Sequence, residues 1–259
     1  GRTVISYKEA VSLQQQPKKL LILGAGAIGM EFAYIYNAYG TEVTVVEMLD
    51  RVLPAEDADA SAVVARAFAK QKINCRTGMK STAVEVSEHQ VQLAIAPAGG
   101  PGQDPSKTQT LSADKLLVAI GVRGRVEGLF DVAVPIEVDA GHIKVDPVTY
   151  ATSVDGIYAA GDVIGPPYLA HVGSEEAIIC VERIAGHDPP PIDYEAIPAC
   201  TYCLPQVASL GRTEQKLKEE GLVEGRDYKV GKFPFRASGK AQAIGYTEGF
   251  VKLLTGAMH

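Results

Sequence analysis

The sequence predicts an α/β fold: a parallel sheet with a crossover helix, an antiparallel meander beside it, and a smaller mixed α and β region toward the C-terminus. Three observations carry that expectation. The apolar run at residues 20–23 is continuous and bounded by glycine, as a strand buried on both faces of a parallel sheet requires. A glycine-rich turn then leads into an apolar segment ending at Gly40 and on into the valine-rich "EVTVVE", which together read as a βαβ unit. Further on, Val84, Val86, Val91, Leu93 and Ile95 alternate with polar or small residues, the period of a sheet with one face in water.

Taken in order, the stretch before Pro17 is mixed polar and marks no element. "KKLLIL" is the first strand, and the helix after it carries Met30, Phe32, Ala33, Tyr34, Ile35 and Ala38. "EVTVVE" is the second strand, and a second helix covers residues 58–71, with Ala62, Val63, Ala65, Ala67 and Phe68 as its apolar content. "KINCRTG", "STAVEVSE", "HQVQLAIA" and "KLLVAIGV" follow as β-type stretches. They are interrupted by the loop "PAGGPGQDPSKTQT", whose composition predicts mobility. After Gly128 the pattern changes. "GHIKVDPVTYATSVDGIYAAGDVIG" reads as short strands and turns, "HVGSEEAIICVERIAG" as an amphipathic helix ending at Gly186, and "HDPPPIDYEAIP" as a stiff connector. Beyond it lie "TYCLPQVASLG", a helix-like "TEQKLKEEG", and strands in "YKVGKFPF" and "EGFVKLLT".

Composition narrows the function classes. A chain of 259 residues, 46% hydrophobic and 22% charged, can bury a core large enough for one large or two moderate domains. A net charge of -6 with no Lys/Arg block disfavours nucleic acid and anionic membrane as partners. Four cysteines without regular spacing make no disulfide framework, and no apolar run reaches the length of a membrane span. The start "GRTVISYKEA" lacks the apolar core of a signal peptide. A soluble, reducing, cytoplasmic setting is expected.

The strongest chemical signal is Gly24-Ala-Gly26-Ala-Ile-Gly29. It follows a predicted strand, opens a helix, and is followed by an acid, Glu47, at the end of the next strand, which is the context of a Rossmann-like dinucleotide fingerprint. Gly24 allows the tight turn, Gly26 lets the backbone approach a pyrophosphate, and Gly29 lets the helix pack on the strand. The free N–H groups at the helix start face the phosphates. Glu47 would accept hydrogen bonds from an adenosine ribose diol and repel a 2′-phosphate, so NAD is expected over NADP. The bland alternatives are a structural glycine turn and a solvated strand-end acid. Asp162, in "YAAGDVIG", follows a small-residue strand end; it could accept from ribityl or ribose hydroxyls, but alone it reads more readily as a turn aspartate.

"GAGAIGMEFA", "VTVVEMLDRVLP", "LLVAIGV", "DGIYAAGDV", "YLAH", "CTYCLPQVASLGRTE" and "FVKLLTG", in this order, resemble the dihydrolipoamide dehydrogenases of the FAD and pyridine-nucleotide disulfide oxidoreductase superfamily. The resemblance covers essentially the whole chain. It implies an NAD-binding domain at residues 1–127, the second segment of an FAD-binding domain at 128–192, and a partial α+β dimerisation domain at 193–259. It further implies that Gly24, Gly26, Gly29, Glu31, Glu47 and Gly121 serve NAD, with Glu31 near the nicotinamide. Asp162 would then hold the flavin ribityl chain, and Leu169, Ala170 and His171 would run along the flavin edge. For His171 a helix-start histidine with a structural hydrogen bond is an equal reading.

Two departures qualify this. "VRGR" stands after Gly121 where the family often has Arg-x-Pro-Asn. The family's own FAD fingerprint, its C-x-x-x-x-C redox helix and its His-Pro and Glu segment are not among these residues. The expectation is therefore a fragment: the NAD-binding portion of a flavoprotein whose parent oxidises dihydrolipoamide through a redox disulfide and FAD and delivers hydride to NAD⁺. The parent would be a homodimer serving the lipoyl domain of a 2-oxo-acid dehydrogenase complex. This chain would bind NAD(H), hold FAD weakly or not at all, and contain no catalytic residue and no metal site. The alternatives are a mercuric reductase, glutathione reductase or transhydrogenase relative, and a non-catalytic NAD-binding module.

Cys200 and Cys203 form a C-x-x-C, the spacing of a redox dithiol, a zinc half-site or neither. No second cysteine pair exists and the five histidines are dispersed, which argues against zinc. On an extended strand, residues three apart face opposite ways, which suits neither a disulfide nor a shared metal.

Overall fold

A computed structural model describes residues 3–99, 104, 107–131 and 133–256. Residues 100–103 and 105–106 of the loop read as mobile, and Ala257 to His259 of the terminal "TGAMH", lie outside the described residues. Two compact units are present. One comprises residues 1–120 with 198–259, the other residues 121–197.

The first unit opens with β1 (Val4–Ile5) and α1 (Tyr7–Ala10), in a stretch that reads as mixed polar and featureless. Two residues are too few to show a strand period, and the partner of β1 lies far away in sequence. The helix did leave a signal. Ser6 accepts from the Lys8 N–H, and Glu9 reaches back to the Ser6 N–H at 2.7 Å, the capping box that the S-x-x-E spacing encodes.

Next come β2 (Lys19–Leu23), α2 (Ala27–Ala38), β3 (Glu42–Val46), α3 (Ala58–Lys70), β4 (Asn74–Arg76), β5 (Met79–Val86), β6 (Val91–Pro97), β7 (Gln109–Ala113) and β8 (Lys115–Val118). The sheet order is β1-β8-β2-β3-β4, with every pair parallel. The sheet is buried on both faces, as the uninterrupted apolar runs require. Ile22, Val45 and Leu117 pack with Met30, Ala33, Val64 and Phe68, whereas their neighbours Leu21, Val46 and Leu116 pack with Val91, Leu93 and Ile95 of the meander β5-β6-β7. Successive strand residues face opposite ways, so one run supplies both layers. Val84 and Val86 depart from the alternation's expectation. They pair with Leu93 and Val91 yet remain exposed, because β5 is the edge of the meander.

The second unit contains β9 (Val138–Asp139), β10 (His142–Ile143), a 3₁₀ turn at Gly161–Ile164, α4 (Ala170–Ile184) and a second 3₁₀ turn at Tyr194–Ala196. Its core is Tyr150, Ile179 and Cys180, with Ile192 of the proline-rich connector packed against them.

The C-terminal stretch returns to the first unit with β11 (Ala199–Thr201), β12 (Val207–Ser209), α5 (Glu214–Glu219), β13 (Tyr228–Pro234), α6 (Gly239–Ile244) and β14 (Phe250–Gly256). Contacts therefore group it with residues 1–120, with unit edges at 120/121 and 197/198, where the resemblance divides the sequence at 127/128 and 192/193. Two features hold it there. Cys203 and Val207 join the apolar cluster of Ile22 and Val45. Lys252, with only 7% of its side chain exposed, lies 2.9 Å from Asp57, 2.7 Å from Asp59 and 2.6 Å from Glu214. Asp57 also caps α3, so the cluster ties β14 and α5 to the start of that helix. Among the described residues no helix is long and apolar enough to cross a membrane.

Candidate functional site

The glycine-rich turn joins β2 to α2. Gly24 has φ +106°, and a Cβ there would lie 2.3 Å from the Ala119 carbonyl oxygen. A Cβ on Gly29 would lie 2.0 Å from the Gly24 carbonyl oxygen. At both positions the protein's own backbone demands glycine. Gly26 is different: a Cβ there meets nothing within 4 Å, so no protein atom explains the missing side chain. Gly26 is also the N-cap of α2, with no side-chain cap and no acid in the first turn. The helix start thus offers uncapped N–H donors beside open space, which is the arrangement that receives a phosphate.

Glu47 follows β3 and is buried rather than solvated. One carboxylate oxygen accepts the Ala25 N–H at 2.7 Å, the other the Leu49 N–H at 2.8 Å. The first bond holds the carboxylate against the turn and the second fixes it to its own loop, and each oxygen keeps a second acceptor direction. Glu31, on the first turns of α2, places Oε1 2.7 Å from the Tyr202 N–H. The structure therefore brings Gly24, Gly26, Gly29, Glu31 and Glu47 together at one end of the parallel sheet. The role of Tyr202 is a finding of the fold, because a main-chain donor leaves no mark in a sequence.

Gly121, Asp162, Leu169, Ala170 and His171 lie in the second unit. Gly121 is exposed with φ +137°. Asp162 sits exposed in the 3₁₀ turn, Leu169 is the N-cap of α4, and Ala170 and His171 begin that helix, both exposed. The Asp162 turn is braced from below. Glu176, 3% exposed, accepts the Gly161 N–H at 2.6 Å and the Tyr194 hydroxyl at 2.8 Å. Gly161 and Gly173 meet closely, since a Cβ on Gly173 would lie 3.0 Å from the Gly161 Cα. Burial, with the Tyr150 and Glu176 hydrogen bonds, holds the Tyr194 hydroxyl above the ordinary tyrosine range. Sequence reasoning did not find this brace. The signal available was only an acid on the apolar side of an amphipathic helix.

The C-x-x-C pair does not share one strand. Cys200 is exposed on β11, whereas Cys203 is buried in the loop between β11 and β12, its thiol 3.2 Å from the Pro205 carbonyl oxygen. All four cysteines are free. Burial pushes the Cys203 thiol up to about 11, and Cys75 likewise to about 11, so neither is a thiolate near neutral pH. Maleimide labelling of the native chain is expected to modify Cys200 alone within minutes. Equal labelling of Cys203 would refute its burial. Two surface cavities, of about 340 and 370 Å³, are lined in part by Arg51 with Cys75 and by Arg66 with Lys232. Neither is lined by the glycine turn or Glu47.

Comparison with known proteins gives the family. The family model described as pyridine nucleotide-disulphide oxidoreductase matches residues 1–177, and its dimerisation domain matches residues 197–258. A dihydrolipoyl dehydrogenase from Chlorobaculum tepidum is 44% identical over 254 residues, 98% of this chain and 52% of its own length. One from Rhizobium etli is 41% identical over 255 residues, 98% of this chain and 51% of its own length. Among solved structures, LpdA from Mycobacterium tuberculosis is similar with a TM-score of 0.82 at 27% identity, over 96% of this chain and 51% of that one. The flavoprotein disulfide reductase RclA from Escherichia coli gives a TM-score of 0.84 at 25% identity, over 98% of this chain and 55% of that one. The chain thus spans about half the length of the relatives it matches.

Proposed function

The chain belongs to the pyridine nucleotide-disulphide oxidoreductase family, and from that premise we propose that it binds NAD(H) across the turn at residues 24–29. The observation that carries this reading is Gly26, which is open to solvent at an uncapped helix start and flanked by a buried, anchored Glu47. The pyrophosphate lies against the N–H groups that begin α2, and the adenosine ribose hydroxyls donate to the remaining acceptor directions of Glu47. A 2′-phosphate at that carboxylate is repelled, so NADH binds in preference to NADPH. Fluorescence titration of both nucleotides tests this. Glu47→Ala is expected to narrow the gap between them by about tenfold or more, whereas an unchanged ratio would remove Glu47 from the ribose site.

The whole protein is proposed to act as its dihydrolipoyl dehydrogenase relatives are named. Bound FAD would supply the two-electron relay between a redox dithiol and NAD⁺. Asp162 would hold the ribityl hydroxyls, while Leu169, Ala170 and His171 would line the ring edge. The exposed carboxylate of Asp162, on a turn stiffened by Glu176 and the Gly161–Gly173 approach, suits that role. The partners proposed for the whole protein are dihydrolipoamide or a lipoyl domain, and a second copy through the dimerisation domain. The 259-residue chain alone is expected to show no dihydrolipoamide oxidation, because its four cysteines include no C-x-x-x-x-C pair. Turnover by this exact polypeptide would overturn that expectation, and a yellow purified protein would refute weak flavin binding.

A further inference from the structure

Glu31 is a carboxylate held by half. Its Oε1 accepts the Tyr202 N–H at 2.7 Å, while its other oxygen makes no hydrogen bond among the described residues. The loop that supplies the N–H is pinned on both sides of Tyr202. Upstream, Cys200 and Thr201 pair with Ala208 and Val207 across β11 and β12. Downstream, Cys203 is buried in the apolar cluster of the parallel sheet, and the Leu204 carbonyl accepts from the Gln71 side chain at 2.7 Å. The Tyr202 side chain is 65% exposed and contributes nothing to this anchoring. What the loop delivers to α2 is a fixed main-chain donor.

We propose that the Tyr202 N–H is a positioning group for the nicotinamide end of the dinucleotide site: it fixes one Glu31 oxygen so that the other is presented to the nicotinamide carboxamide. The inference rests on the NAD(H) reading above and adds a task for the C-x-x-C loop, which works through its backbone and its buried Cys203 rather than through thiol chemistry. A glutamate on an exposed helix turn samples several rotamers. A charge-assisted bond from a rigid loop removes that freedom before the ligand arrives.

The test compares NADH with ADP-ribose, which lacks the nicotinamide, in the full 259-residue chain. Tyr202→Pro removes the N–H, and Tyr202→Ala removes the same ring but keeps the donor. The expected result is a ratio of NADH to ADP-ribose affinity at least about fivefold lower in Tyr202→Pro than in Tyr202→Ala, with ADP-ribose binding retained in both. Equal ratios would overturn the inference while leaving the NAD(H) reading intact. Binding of neither ligand by the unmodified chain would overturn both. Should Tyr202→Pro fail to bind ADP-ribose, amide NMR of Glu31→Ala decides. The Tyr202 amide proton must move upfield and the NADH to ADP-ribose ratio must fall together, and a failure of either rejects the role.

Discussion

Replacing Lys252 by Met is expected to destabilise the first unit by about 3 kcal/mol, a loss typical of removing one partner from a buried ion cluster. Lys252 is the only cation that touches all three of Asp57, Asp59 and Glu214 among the described residues. Lys232 and Lys218 remain beside Asp59 and Glu214, which keeps the effect near the lower end of that range. In a unit of this size the loss corresponds to a fall in Tm of about 6–12 °C. A fall below about 2 °C would show that the cluster is solvated in solution.

The same cluster sets a pH dependence with a definite sign. Hydrogen bonds from Lys218 and then Lys252 hold the Glu214 carboxyl at about 2, against an ordinary value of 4.5. Bonds from Lys232 and Lys252 lower Asp59 as well. A folded value below the unfolded one means that this stabilisation is complete above about pH 4.5 and is lost as pH falls toward 2. For Lys252, burial lowers the ammonium and the bonds to Asp57, Asp59 and Glu214 outweigh it, raising the group above the ordinary 10.5. Its share is therefore present at neutral pH and is lost only above that value. Acid unfolding of Lys252→Met should be shallower between pH 4.5 and 2 than that of the unmodified chain.

The second large effect is on binding. Gly26→Val is expected to weaken NADH by about a hundredfold, because branched carbon atoms then occupy the space through which the pyrophosphate reaches the helix start. The fold should tolerate it. Gly26 has φ −70°, and no protein atom lies where its Cβ would be, so the cost is limited to the N-cap preference, about 1 kcal/mol. Gly29→Ala reverses the pattern. Its Cβ would lie 2.0 Å from the Gly24 carbonyl oxygen, so stability falls by about 1–3 kcal/mol or more. A Gly26→Val chain that binds NADH normally would place the ligand elsewhere.

The β2-α2-β3 unit was legible in the sequence because all its signals are local: an apolar run, a glycine turn, a glycine stop and an acid at the next strand end. Glu47 could be singled out, but its anchoring could not, since the Ala25 and Leu49 N–H groups converge on it only once the turn has folded. β1 escaped because its identity resides in pairing with a distant strand. The strand reading of Cys203 erred for a related reason: the chain leaves β11 at Thr201, and burial in the apolar cluster of Ile22 and Val45, distant in sequence, decides where the thiol points rather than alternation. The Lys252 cluster and the Glu31–Tyr202 bond join residues that lie far apart in the chain, with the second unit between them. Local propensity carries no trace of such contacts.

The central claim is that one surface, made by the turn at residues 24–29, Glu47 and Glu31, receives NAD(H). Amide NMR of the 259-residue chain during titration with NADH tests it most directly. The account predicts saturable shifts concentrated at Ala25, Gly26, Ala27, Ile28, Gly29 and Leu49, with a smaller response at Tyr202. Shifts that concentrate away from these residues, or no saturable shift at millimolar NADH, would contradict it.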